Sequence, residues 1–345
     1  MTPLYKPYMP ESLPELESIL HSGQLAYGKW AREFEQRLRE YVGVETLMST
    51  NTYFTAIHTA LIALDLQPGD EVIASPMSCL NSNMPLRAFG LNVVWADIDP
   101  RTGTLCPDSV EEHITPRTRM IFHNHFCGYI GYVDEINAIG KAHGIPVIDD
   151  CVEAFGSKYK GKVAGNLGTD ISIFSFQTVR LPNTIDGGAV VFKSKELYEK
   201  ALLIRDQGIR RSIFRDADGE ISPDCDIYLR GSAGTMSDVN GYIGCEAMKQ
   251  LDVLLAKQAN NAIKWQEKGV ACDLLRPEIE PNYWVYGTLQ ENKRDVLRQY
   301  KADGYYCSGV HLPNSYYSIF GDQGQLPGVT EFYNKFLALP CGWWI

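Results

Sequence analysis

No Cys-x-x-Cys pair occurs among the nine cysteines of this 345-residue chain. Their scattered, odd-numbered distribution removes the spacing that zinc modules and disulfide frameworks need, so reduced core thiols and no structural metal are expected. Neither GxGxxG nor GxxxxGK[ST] is present, and nucleotide cofactors of the Rossmann and P-loop kinds lose their support. A basic block is also lacking. The formal charge is −10, spread along the chain, which argues against a phosphate-backbone partner and hence against nucleic acid. No run is long and apolar enough to cross a bilayer, and Met1-Thr2-Pro3-Leu4-Tyr5-Lys6 lacks a charged-then-apolar signal pattern. A cytoplasmic protein without membrane contact is expected. There is no internal repeat or low-complexity tract.

What is present alternates between two periods. Short apolar, β-branched runs stand at Val72–Ala74, Val93–Trp95, Met120–Phe122, Pro146–Ile148, Ile171–Phe174 and Ala189–Phe192. Between them lie helix-period segments over 55–64, 108–114, 134–143 and 195–205. That alternation reads as an α/β fold with a mainly parallel sheet covered by helices. Near the start, Pro14 opens a helix that Gly23 closes, and Phe34, Leu38 and Tyr41 share one face of a second helix ending at Gly43. From Ser237 a helix-period stretch carries Val239, Ile243, Met248, Leu251 and Leu255 out of the first domain. The boundary is placed near residue 246, giving a large domain over 1–245 and a small C-terminal α+β domain over 246–345. The latter is rich in aromatics, Trp284 among them, which either floor a ligand cleft or pack a core.

Three segments carry candidate chemistry. Thr50-Asn51-Thr52-Tyr53-Phe54 runs straight into a helix, where free amides and the helix dipole favour an anion such as phosphate; the plainer reading makes Thr52 or Asn51 an N-cap and His58 a packed side chain. Asp149-Asp150 follows the strand Val147-Ile148, at a strand C-terminus where open α/β sheets bind ligands. Such a pair either faces a cationic ligand or joins His123 and His125 around a metal. Ser175, Gln177 and Arg180 precede Asp186-Gly187-Gly188, where paired glycines allow close backbone approach or simply make a turn.

In this order and spacing the segments resemble the DegT/StrS sugar aminotransferases. The resemblance runs through Ser22–Gly28, Pro68-Gly69-Asp70-Glu71, Ala96-Asp97-Ile98-Asp99-Pro100, His125–Gly128, Val147–Asp150, Phe174–Gln177, Asp186-Gly187-Gly188 and Met236-Ser237-Asp238. It covers nearly the whole chain. It implies the aspartate-aminotransferase type of fold (fold type I), with a seven-stranded large domain, a small C-terminal domain, and a homodimer with its sites at the interface. The implied cofactor is pyridoxal 5'-phosphate or pyridoxamine 5'-phosphate, and the implied substrates are a keto or aldehyde sugar and glutamate as amino donor, in cell-surface polysaccharide or related sugar biosynthesis.

By the same resemblance Asp150 faces the pyridine nitrogen, keeping the ring protonated and an electron sink. Glu153 falls where the family usually has glutamine near the ring hydroxyl. Ser175 and the amides of Thr52, Tyr53 and Phe54 match the phosphate cradle, with Gln177 beside them. Leu80 falls where an aromatic commonly stacks on the ring, and Ala233 near the place of a partner asparagine that reaches the phosphate. The largest departure is Arg180, which occupies the position of the Schiff-base lysine. A guanidinium of pKa about 13.8 stays protonated near neutral pH and is a poor imine former and proton shuttle. Lys158, Lys160 and Lys162 match ordinary family positions and offer no replacement. Two further readings stand beside the aminotransferase: a lysine-free sugar dehydratase-like enzyme using pyridoxamine phosphate, and a non-catalytic homologue.

Overall fold

The computed structural model describes residues 1–345. Seven strands build its central sheet: β1 Leu47–Thr50, β2 Glu71–Ala74, β3 Asn92–Trp95, β4 Thr118–Asn124, β5 Val147–Asp150, β8 Ile171–Ser175 and β9 Gly188–Phe192. Two short strands, β6 Lys158–Tyr159 and β7 Lys162–Val163, lie between β5 and β8, and pair with β10 Ile279–Glu280 in a three-stranded sheet. A third sheet joins β11 Tyr286–Leu289 to β12 Phe336–Leu339, antiparallel. The order in the large sheet is β1-β9-β8-β5-β4-β2-β3. Neighbours from β8 to β3 pair in parallel, whereas β9 runs antiparallel to both β8 and β1.

The expected α/β architecture is therefore present, down to six strands close to the runs read from the sequence. The sheet is covered on both faces, and neighbouring side chains show it: Ile173 and Val190 pack into one hydrophobic cluster, Phe174 and Val191 into another. The first cluster is closed by the helix Tyr53–Ala63 through Ala56, Ile57 and Leu61. The second is closed by the helix Lys29–Val42 through Phe34 and Leu38. The C-terminal part packs its own core, with Trp265, Tyr286 and Leu337 between the helix Leu251–Glu267 and the third sheet.

Two helices differ from expectation. The first is confined to Leu16–Leu20: at its start the Glu15 amide donates to the distant Tyr242 hydroxyl, and at its end the Ser22 hydroxyl turns back three residues to the Ile19 carbonyl. The stretch after Ser237 is two helices, Asp238–Met248 and Leu251–Glu267. Between them the Gln250 amide bonds back three residues to the Ala247 carbonyl, and the tightened turn lets Leu251 and Leu254 bury.

The helix Asp238–Met248 organises the N-terminal segment. Asp238 Oδ1 accepts from the amides of Gly28 (2.8 Å) and Ala31 (3.0 Å), so a carboxylate from far along the chain caps the helix Lys29–Val42. The two helices touch at Gly241, where a Cβ would lie 2.6 Å from both Cα and N of Ala31. Backbone cannot yield as a flexible side chain does. Alanine is the better helix former by about 1 kcal/mol, so any loss isolates the clash. Gly241→Ala is expected to lower the unfolding free energy by about 1–3 kcal/mol, read from the urea midpoint.

Candidate functional site

Asp150 ends β5, and the pleat turns it and Asp149 to opposite faces of the sheet. On the face of the helix Tyr53–Ala63, Asp150 is fully buried and its Oδ1 accepts from the Tyr53 hydroxyl at 2.7 Å and the Val152 amide at 3.2 Å. Its Oδ2 has no partner within the chain. Burial pushes this carboxyl above its ordinary range, against the pull of Ser82, Tyr53 and the Val152 amide. On the other face, Asp149 Oδ1 lies 3.0 Å from His123 Nδ1, and its Oδ2 accepts from the Thr169 hydroxyl at 2.6 Å. His125 Nε2 stands 3.6 Å from that oxygen. Burial would raise Asp149, yet His125 and His123 pull it well below the usual carboxylate range. The two aspartates thus belong to separate networks, and the shared acidic clamp offered as one reading of the sequence does not form.

The helix over Asp150 starts as the N-cap reading expected: Thr52 Oγ1 accepts from the Thr55 amide at 3.0 Å. The amides of the first turn keep no intrahelical acceptor, so the cap and the anion site coexist. Gly188 makes this approach fit, since a Cβ there would meet the Thr52 carbonyl at 2.9 Å and Tyr53 Cα at 3.0 Å. Phe54 faces outward and stacks on His58, with centroids 4.2 Å apart, which makes His58 a packing residue. Leu80, which opens the helix Leu80–Ala88, and Gln177 are both exposed. Asn51 Nδ2 donates to the carbonyl of Ala233.

Arg180 is in the interior, 7% exposed. Its Nη2 lies 3.5 Å from Glu153 Oε1, and its Cζ sits 4.3 Å from the ring centroid of Trp284. Its Nε and Nη1 have no partner in the chain. Glu153 Oε2 accepts from the Cys127 amide at 2.7 Å, and Oε1 also meets His311 Nε2 at 2.9 Å. Burial would raise the Glu153 carboxyl, but His311, Arg180 and the Cys127 amide outweigh it and hold it below its ordinary range. Arg180, Glu153, Ser175 and Trp284 line one small cavity of about 10 Å³. Lys158 and Lys160 pair with Glu280 and Asp134 at the surface, away from this cluster.

Asp150, Tyr53, Glu153, Ser175 and Arg180 are thus drawn toward one end of the sheet. Tyr5, Cys127 and His311 also belong there and had no local signal. The Tyr5 hydroxyl is buried without a partner, and its ring stacks on Trp284 at 4.6 Å. No helix is long and apolar enough to cross a membrane.

Deleting the Tyr53 hydroxyl tests the Asp150 network. A carboxyl whose folded pKa is raised stabilises the fold most at low pH, and that contribution is lost as pH rises through the folded pKa. Tyr53 offsets the loss by donating to the ionised form. Tyr53→Phe is therefore expected to cost about 1–3 kcal/mol near pH 7 and less near pH 4, measured by urea unfolding at both.

Residues 8–343 match the model of the DegT/DnrJ/EryC1/StrS aminotransferase family. The fold is alike to that of the sugar aminotransferase CalS13 of Micromonospora echinospora, with TM-score 0.93 and 27% identity, over 100% of this chain and 96% of that one. It is also alike to AtS13 of Actinomadura melliaura, with TM-score 0.92 and 30% identity, over 100% and 95%. A "Pleiotropic regulatory protein" of Geobacillus stearothermophilus is 28% identical over 97% of this chain and 90% of its own length. A further protein of similar fold, the "Putative sugar aminotransferase Spr1654" of Streptococcus pneumoniae, at 22% identity and TM-score 0.88 over 100% of this chain and 95% of that one, is described in a PMP-form. The chain belongs to the DegT/DnrJ/EryC1/StrS aminotransferase family, and its fold is the aspartate-aminotransferase-like fold of these pyridoxal-phosphate proteins.

Proposed function

We propose that this chain holds pyridoxal or pyridoxamine phosphate without a covalent bond and acts on a keto or aldehyde sugar, with glutamate as amino donor. The single observation that carries the non-covalent reading is the place of Arg180. Where the resemblance implies an imine-forming lysine stands a buried guanidinium paired to Glu153, inside the cluster rather than on the surface. A permanently protonated group supplies no free electron pair for an imine.

The residues present fit the cofactor. The orphaned, buried Asp150 Oδ2 offers a carboxylate oxygen to a pyridine nitrogen. Ser175 and the free amides opening the helix after Thr52 offer donors to a phosphate, with Phe54, Leu80 and Gln177 bordering that end. Glu153 would stand near the ring hydroxyl, as the resemblance implies, and the unpartnered Nε and Nη1 of Arg180 offer donors to an oxygen of the bound group. When bound, the cofactor supplies an electron sink. The protein's part is to keep Asp150 at the ring nitrogen through Tyr53 and to exclude water around the Arg180–Glu153 pair. In this reading residues 1–245 form the cofactor-binding part and 246–345 the small C-terminal part, in a cytoplasmic protein of cell-surface polysaccharide or related sugar biosynthesis.

The test is borohydride reduction of the protein mixed with pyridoxal phosphate, followed by peptide mass spectrometry. The parent chain is expected to carry no reduced label at the site, and Arg180→Lys to gain one at residue 180 with an absorption band in the visible. A labelled lysine in the parent overturns the reading.

The segment following the helix Lys195–Arg205 exposes Ile213, Ile221, Ile227 and Tyr228, more apolar surface than an isolated loop keeps in water. A second copy of the chain covering it closes the site in a homodimer, as the family resemblance implies. Light scattering is expected to give the mass of a dimer at micromolar concentration; a monomer that binds pyridoxamine phosphate normally overturns this assembly.

The non-catalytic homologue is the second reading, favoured by the description of the regulatory relative from Geobacillus stearothermophilus. It differs in one measurable respect: cofactor binding without amine transfer to any keto sugar. The dehydratase-like reading differs by consuming a sugar with pyridoxamine phosphate and no glutamate.

A further inference from the structure

A buried arginine leaves the proton transfer of such a site without an agent, and the geometry around Glu153 points to one. His311 Nε2 at 2.9 Å and Arg180 Nη2 at 3.5 Å converge on the same oxygen, Glu153 Oε1. The other oxygen is engaged by the Cys127 amide at 2.7 Å. An ionised carboxylate only accepts hydrogen bonds, so Nε2 is the nitrogen that carries a proton toward Glu153, and in the neutral form of such a ring Nδ1 holds the lone pair. Nδ1 makes no hydrogen bond within the chain. The ring rests edge-to-face against Phe126, with centroids 6.0 Å apart.

His311 also lines a cleft of about 510 Å³ together with Lys293, Gly309, Tyr306 and Tyr333. One nitrogen of the ring is therefore anchored in the buried charge cluster while the residue borders open space large enough for a small ligand. No other histidine reaches Glu153, and Arg180 cannot give up its proton near neutral pH.

We propose that His311, oriented by Glu153, is the proton-transfer group of this site in place of a lysine. The inference rests on the reading that the chain holds the cofactor beside Asp150. In the amine-transfer step Nδ1 would take the proton from the carbon on one side of the nitrogen that joins donor and acceptor, and the ring facing Asp150 would hold the electron pair of that C–H bond. Glu153 would stabilise the imidazolium so formed, and Nδ1–H would deliver the proton to the carbon on the other side of that nitrogen, where the pair closes the new C–H bond. No oxidant, reductant or further reactant enters.

The experiment uses the full chain, pyridoxamine phosphate and 2-oxoglutarate in D2O, with three readouts: binding of pyridoxamine phosphate by fluorescence, deuterium at the α-carbon of recovered glutamate, and the histidine 15N spectrum of the ligand-free protein. His311→Asn is expected to bind pyridoxamine phosphate within about twofold of the parent, since the ring is not part of the phosphate or nitrogen contacts, yet to lose about 10²- to 10⁴-fold in deuterium incorporation. In the 15N spectrum the signal lost in His311→Asn is expected to belong to an Nε2–H ring. Glu153→Gln keeps the ring but weakens its orientation, so it is expected to bind the cofactor, slow incorporation, and shift both its pH profile and the His311 signal. Incorporation at the parental rate in a folded His311→Asn, or an Nδ1–H ring for His311, overturns the inference alone; no incorporation by a parent that binds pyridoxamine phosphate overturns it together with the glutamate-dependent reading. A parent that binds no pyridoxamine phosphate overturns the reading beneath it and the inference with it.

Discussion

A guanidinium that never loses its proton, placed 7% exposed in a protein interior, demands a compensating charge within reach. Left alone it would carry a desolvation penalty of several kcal/mol, which only a well-placed counter-charge and further hydrogen bonds recover. Here Glu153 supplies that charge and Trp284 supplies the face of an aromatic ring. The neighbours follow from this pairing. Glu153 is held ionised by donors on both oxygens, the Cys127 amide on one and His311 on the other. Trp284 is itself fixed, its indole nitrogen donating to the Val179 carbonyl at 3.0 Å and its ring covered by Tyr5. An exchange of Arg180 for lysine thus changes more than one side chain, because the partner carboxylate and its histidine are set for a fork of fixed charge.

The sheet does the rest of the positioning. Parallel strands point their C-terminal ends to one edge, and that edge receives Asp150 from β5, Ser175 from β8 and the helix that follows β1. Pleating sends the two adjacent aspartates into different networks. Asp150 shares a face with Tyr53 and the first hydrophobic cluster, whereas Asp149 serves a buried network with His123, His125 and Thr169 on the opposite face. That second network braces β4 against β5 at the residues where they pair, His123 beside Asp149 and Asn124 beside Asp150. Membership of the aminotransferase family is carried by this frame and by the ordered motifs along it. A shared frame does not by itself specify chemistry, and the function rests on the residues grafted onto it.

Much of this was legible from local pattern. Short continuous apolar runs and helical-period segments marked six of the seven strands of the large sheet and the helices between them, because fully covered strands are apolar along most of their length. The strand Leu47–Thr50 escaped notice, its four residues ending in Ser49 and Thr50, which are buried but polar. The places of Thr52, Asp150, Ser175 and Gly188 at strand ends and a helix start were legible, because local backbone geometry rather than distant packing sets them. Arg180 was likewise readable as an anomaly, since its charge state is a property of the side chain alone.

Sequence by itself determined the α/β class, the acidic strand end, the helix start suited to an anion and the impossibility of an imine at residue 180. Those depend on local backbone periodicity and on intrinsic chemistry. Tertiary structure alone decided that Arg180 is buried on Glu153 rather than at the surface, that Asp149 and Asp150 part company, and that Tyr5, Trp284 and His311 join the cluster. These residues lie more than 100 positions from Arg180 in the chain, and no periodicity links them to it. Their meeting follows from the packing of the C-terminal part and the N-terminal segment around Tyr5 against the sheet edge. That packing is a sum over many apolar contacts, none of which is written in the neighbourhood of the residues it brings together.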